Sequence, residues 1–142
     1  MTIAAILGNK GRDVICVSPT QTVAEAIALL ARHRIGAVPV IDGGAVIGVF
    51  SERDVILGLA GGDTAMLQRP VSETMTAPAM TVTLAEPVLA ALSLMTRRRV
   101  RHLPVVEAGR VIGIVSIGDL VKYRIEMIEA DAAAMREYIQ QA

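Results

Sequence analysis

"AVPVIDGGAVIGVFSERD" at residues 37–54 and "HLPVVEAGRVIGIVSIGD" at residues 102–119 are two copies of one device. Each holds two apolar runs around a glycine turn, then a glycine, two apolar residues, a serine and, three positions on, an aspartate. The turns are Asp42-Gly43-Gly44 and Ala108-Gly109, so each copy predicts a β-hairpin. Each Ser-x-x-Asp then opens a helix, because a serine hydroxyl and an acid three residues later satisfy free N–H groups at a helix start.

Sliding the chain against itself by 65 residues extends the match without a gap, pairing 14–60 with 79–125. Identical pairs include Val23/Val88, Ala26/Ala91, Arg32/Arg97, Pro39/Pro104, Gly48/Gly113, Ser51/Ser116 and Asp54/Asp119. Ahead of each hairpin a helix is predicted from apolar positions at i, i+3, i+4 and i+7: Val23, Ala26, Ile27 and Leu30, then Val88, Ala91, Leu92 and Met95. Thr22-x-x-Glu25 caps the first helix and Pro87 stands at the opening turn of the second. "VICVS" (14–18) and "AMTVT" (79–83) read as a leading strand of each copy.

The order strand, helix, strand, strand, helix, twice over, places the chain in the α/β (α+β) class. Two copies are too few for a solenoid, so the expectation is a pair packed with pseudo-twofold symmetry. The boundaries are 12–60 for the first repeat, 61–78 for a loop-like connector, 79–125 for the second repeat and 126–142 for a C-terminal helical tail. In the helix that runs on past residue 118 into this tail, Leu120, Tyr123, Met127 and Ile128 mark an apolar side that continues to Met135, Tyr138 and Ile139. It is expected to pack on the other repeat or on another subunit.

Composition narrows the function. Apolar residues are 53% of the 142, aromatics only 2%, so the core must be aliphatic. Fourteen Lys and Arg balance fourteen Asp and Glu, which removes the electrostatic case for nucleic acid or an anionic membrane. No apolar run reaches a spanning length, and "MTIAAILGNKG" lacks the pattern of a secretory signal. A cytoplasmic protein is expected. The single cysteine, Cys16, reads as a small core residue and excludes a cysteine-rich zinc site.

No nucleophile–base constellation and no Gly-Lys-Ser/Thr phosphate loop appears, so the expectation is recognition without catalysis. A helix N-terminus offers N–H groups and a positive dipole end, and an aspartate there can accept two hydroxyl hydrogen bonds from a ribose. Each Ser-x-x-Asp could equally do nothing but cap its helix. The second repeat adds cations in "RRRVRH": Arg97 to Arg99 read as a solvated helix end, while Arg101 and His102 are phosphate candidates. His33 reads as a surface helix residue.

The doubled "h-x-x-h-P-V" and "G-h-h-S-x-x-D" motifs resemble a tandem pair of CBS domains, a Bateman module, over about residues 12 to 125. "ILGNKG", "SERD" and "MTRRRVRHLPVV" are similar to the stand-alone CBS-pair proteins of bacteria and plant organelles. The resemblance implies a non-catalytic sensor that binds an adenosine nucleotide such as AMP, ATP or NAD(H) in two clefts and signals to a regulated protein, itself unidentified. It implies no catalytic cofactor and no metal. Asp54 and Asp119 would hold ribose, with Ser51 and Ser116 beside them. The Asp119 cleft would use Ile15, Ile35, Gly36, Ala37, Ile114 and Gly118, with Arg101 and His102 towards phosphate. The Asp54 cleft would use Met80, Val100, Arg101, Val49 and Arg53, and Lys10 would reach a phosphate. Because only the second repeat carries Arg-His, the Asp119 cleft is expected to be the tighter. The resemblance further implies a homodimer through the helices after Ser-x-x-Asp. The alternative is a purely structural dimerisation module that takes no ligand.

Overall fold

Both hairpins form where the glycine turns place them. In the computed structural model, which describes residues 1–141, β1 (Ala37–Asp42) pairs antiparallel with β2 (Ala45–Ser51), and β3 (His102–Glu107) with β4 (Arg110–Ser116). Gly43 and Gly44 carry φ of 60° and 85°, and Ala108 and Gly109 carry 51° and 76°. These left-handed pairs suit a two-residue turn matched to strand twist. Both hairpins carry the same irregularity, after Val40 and after Val105, which leaves Ile47 and Ile112 as the extra residue ahead of Gly48 and Gly113.

The helices ahead of the hairpins are α2 (Val23–His33) and α4 (Val88–Arg98). Their expected stripes face inward: Val23, Ala26 and Leu30 are buried in one core, Val88, Ala91 and Met95 in the other. Thr22 accepts the Glu25 N–H at 3.1 Å, as its capping box predicts. Pro87 is the N-cap of α4, one position earlier than the opening turn. Following the hairpins come α3 (Glu52–Ala60) and α5 (Ile117–Gln141), a single 25-residue helix that carries the tail. β2 and β4 lie against each other where the repeats meet.

The leading strands shrink to single parallel bridges, Val17 with Val40 and Val82 with Val105. Val17 donates to the Pro39 carbonyl and accepts from the Ile41 N–H, at 3.1 and 2.9 Å. A longer ladder would next need N–H groups from residues 39 and 19, and both are prolines. Pro104 stops the second copy on the same side. Val17 is buried and Ile15 packs on the same core, while Cys16 between them is exposed, not a core residue as expected, because alternation turns it outward.

Two segments exchange partners across the repeats. The N-terminal helix α1 (Ile3–Lys10), which the sequence reading did not anticipate, buries Ile3, Ile6 and Leu7 in the core of the second repeat. The connector is folded rather than loose: two 3-10 turns, Thr64–Gln68 and Val71–Glu73, bury Met66 and Val71 in the core of the first. Glycine at 48 and 113 is what lets these arms cross the hairpins. A β-carbon on Gly48 would lie 2.6 Å from Met75 Sδ and 2.9 Å from the Thr76 carbonyl oxygen; one on Gly113 would lie 2.8 Å from Leu7 Cδ2. Among the described residues no helix is long and apolar enough to cross a membrane.

Candidate functional site

Each Ser-x-x-Asp stands where a hairpin ends and a helix begins, so its aspartate is held by its own backbone. Asp54 Oδ2 accepts the Ser51 N–H at 2.8 Å and the Ser51 hydroxyl at 3.2 Å. Asp119 Oδ2 accepts the Ser116 N–H at 2.8 Å, and the Asp119 N–H donates to Ser116 Oγ at 3.1 Å. Both carboxylates therefore do cap helices.

What completes each carboxylate comes from an exchanged arm. Thr76 donates its hydroxyl to Asp54 Oδ1 at 3.0 Å, while its backbone exchanges two 2.9 Å bonds with Val49. In the second repeat Lys10 takes over both tasks with one group. Its ammonium donates to Asp119 Oδ2 at 2.6 Å and to the carbonyl of Ile114, the counterpart of Val49, at 2.8 Å. Burial pushes the Asp119 carboxyl up, but the hydrogen bonds from Lys10 and Ser116 outweigh it and hold it below its ordinary value.

A cleft of about 1100 Å³ opens at Asp54, between the repeats. It gathers Val49, Ser51, Arg53, Asp54, Met80, Val100 and Arg101, the residues assigned to this side in the sequence. Gly36, Ala37 and His102, assigned to the Asp119 side, line it too. Ile15 and Ile35 pack on the core of the first repeat instead. Ile35 also lines a shallower hollow of about 550 Å³ beside α2 and α3. Ile114, Ser116, Gly118, Asp119 and Lys10 lie together at the Lys10 ion pair. The Arg101–His102 pair, assigned to the phosphate end of the Asp119 side, thus lines the cleft at Asp54.

The cleft holds residues the sequence reading passed over. Arg98 and Arg99, taken as a solvated helix end, line it with Thr76, Pro78 and Ala79. Arg99 closes α4 in the left-handed conformation, φ 54°, and its carbonyl accepts a hydrogen bond from Arg53 of the other repeat at 3.0 Å. Four arginines therefore border one opening. His102 and Glu52 close over Gly36, where an added β-carbon would lie 3.2 Å from each. Burial is the main reason His102 falls below its ordinary 6.5, with Glu52 opposing it. Val49, Met80, Val100 and Ile117 supply apolar lining, and the charged lining is four arginines against two carboxylates, Glu52 and Asp54.

Fold and cleft define a two-repeat module whose concave site lies at the junction of its halves. The chain belongs to the CBS-domain family: the family model named CBS domain matches residues 10–61 and again 71–126. It is 34% identical over 133 residues to the CBS domain-containing protein YhcV of Bacillus subtilis, covering 92% of this chain and 93% of that one. It superposes on the crystal structure of the CBS-domain protein ATU1752 of Agrobacterium tumefaciens with a TM-score of 0.83 and 42% identity, covering 87% and 99% of the two chains. Two solved structures at lower identity hold adenosine compounds. The CBS domain pair of MJ0100, in complex with 5′-methylthioadenosine and S-adenosyl-L-methionine, matches at TM-score 0.76 and 26% identity, over 87% of this chain and 98% of that one. CBSX2 in complex with AMP matches at 0.75 and 25%, over 89% and 97%.

Proposed function

We propose that this chain is a regulatory module that binds an adenosine nucleotide in the cleft at Asp54 and passes the change in repeat geometry to a protein partner. The observation that carries the reading is the cleft itself, which puts a pre-oriented carboxylate, apolar lining and four arginines from both repeats around one opening. Asp54 accepts the ribose hydroxyls, with Ser51 and Thr76 beside it. Val49, Met80 and Val100 sandwich the adenine. Arg53, Arg98, Arg99 and Arg101 face the phosphates, where guanidinium forks suit paired oxygens. A ligand touching both halves favours one relative angle over others, so occupancy shifts a conformational population. The adenosine compounds in MJ0100 and CBSX2 support this choice of ligand class.

The exposed apolar residues Ile56, Leu57 and Leu59 of α3 and Val121, Ile125 and Ile128 of α5 support a homodimer through these helices. The rival reading, a dimerisation module without ligand, is favoured by the capping bonds of both aspartates. A thermal-shift series with AMP, ATP, NAD(H) and S-adenosylmethionine separates them. A binder at a hundred times its dissociation constant adds about 2.7 kcal/mol, or roughly 5 to 10 °C for a chain of this size. No shift with any of the four leaves the structural reading standing.

A further inference from the structure

We infer that the C-terminal part of α5 forms a parallel two-stranded coiled coil with the same helix of a second copy. The inference extends the homodimer reading above and commits to one geometry. The inward side of α5 ends early: Leu120 is buried, Tyr123 packs on the core of the second repeat, and Met127 is half-buried. Past that point the helix runs on to Gln141, about 20 Å at 1.5 Å per residue. Isolated polar helices of that length are not stable in water, so a 14-residue projection needs something to lie against.

A second apolar line runs along a different face. Val121, Ile125, Ile128, Ala132, Met135 and Ile139 follow one another at intervals of four, three, four, three and four. That alternation is the a/d seam of a heptad repeat, and it is kept over the full exposed length. Of these six, all but Ala132 are large hydrophobic side chains left in solvent, from 44% exposed at Val121 to 64% at Ile139. The seam starts inside the α3/α5 face offered above for dimerisation, so it continues one surface rather than making a new one.

Charge selects the occupant and its direction. With Ile125 at a and Ile128 at d, Arg124 and Asp131 fall at g, and Glu129 and Arg136 at e. In a parallel pair each g residue meets the e residue five positions on in the other strand. Arg124 then meets Glu129 of the second copy, and Asp131 meets Arg136 of the second copy. Both pairs are of opposite sign, and symmetry doubles them. An antiparallel pair sets e against e and g against g. Where it covers the projecting end, Asp131 finds Tyr138 or another Asp131, and at most the Glu129–Arg136 match survives; the register that joins Arg124 to Asp131 and Lys122 to Glu129 leaves Met135 and Ile139 outside the seam.

The test uses the full chain carrying Cys16→Ser, so that any disulfide reports the introduced cysteine. Ile139→Cys at the seam should oxidise to a covalent dimer at low micromolar protein. Glu137→Cys, two residues away but on the outer face, should remain monomeric on a non-reducing gel. In the antiparallel geometry the two Ile139 positions stand more than 15 Å apart along the axis and do not link. Separately, Arg136→Glu should weaken the dimer in sedimentation by roughly three- to tenfold, the scale of exposed ion pairs. Adding Asp131→Arg should restore it. Linking at both positions or at neither, or an Arg136→Glu dimer of unchanged strength, overturns the coiled coil. If the unsubstituted chain still sediments as a dimer, the homodimer reading survives that failure; a monomer removes both.

Discussion

Lys10 Nζ sits 2.6 Å from Asp119 Oδ2, although 109 residues separate the two in sequence. The carboxylate that the second repeat would offer a ribose is thus already bonded to an ammonium from the N-terminal arm. Its counterpart Asp54 meets neutral donors, the Ser51 N–H and hydroxyl and the Thr76 hydroxyl. A sugar that takes Asp119 Oδ2 competes with a charge-assisted bond, which is about twice as strong as a neutral one. The two aspartates are equal in sequence and unequal in availability.

Calorimetric stoichiometry follows from that inequality. The natural chain should bind one nucleotide per protomer, at Asp54. Lys10→Met releases Asp119 and should bring a second, weaker binding event. Two equal sites in the unchanged protein would show that Lys10 does not compete.

The same ion pair shapes acid stability. Because the folded-state pKa of Asp119 lies below its ordinary 3.8, its contribution is fully present above that value. It is lost as pH falls through the depressed pKa. The Tm difference between the natural chain and Lys10→Met should therefore be steady at neutral pH and shrink between about pH 5 and pH 2. A difference that grows on acidification contradicts the pairing.

Asp54→Glu separates ribose binding from capping. Glutamate serves a capping box as well as aspartate does, so Tm without ligand should move by about 2 °C or less, under the 1 kcal/mol scale of an ordinary surface change. Nucleotide binding should fall below detection, because the longer side chain moves the carboxylate out of reach of the hydroxyls. Retained affinity in Asp54→Glu would remove Asp54 from the site.

Gly48→Ala and Gly113→Ala should differ, despite holding the same place in the repeat. At Gly48 the new methyl meets the Thr76 carbonyl at 2.9 Å, a backbone atom fixed by its bonds to Val49. At Gly113 it meets only the end of the Leu7 side chain, which can change rotamer. Overpacking costs about 1–3 kcal/mol. Gly48→Ala should fall in the upper part of that range and Gly113→Ala in the lower, measured by urea unfolding.

What the sequence made legible was local or duplicated. Helices α2 and α4 followed from apolar spacing, the hairpins from their glycine turns, and the paired aspartates from a gapless repeat. What it hid was non-local. Ile3, Ile6 and Leu7 do show helical spacing, but nothing in them tells that their core lies in the second repeat. Arg98 and Arg99 resemble any cationic helix end, and only the approach of α3 from the first repeat turns them towards a cleft. The short parallel bridges had a readable cause, prolines at 19, 39 and 104, whose missing N–H groups limit any ladder.

The exchanged arms bind the fate of the halves together. Neither repeat owns all of its interior: Ile3, Ile6 and Leu7 are lent forward, Met66 and Val71 backward. A chain cut at Gly61–Gly62 would yield two pieces, each carrying hydrophobic side chains whose only sheltered place is in the other. Such fragments have reason to find each other and little reason to persist apart.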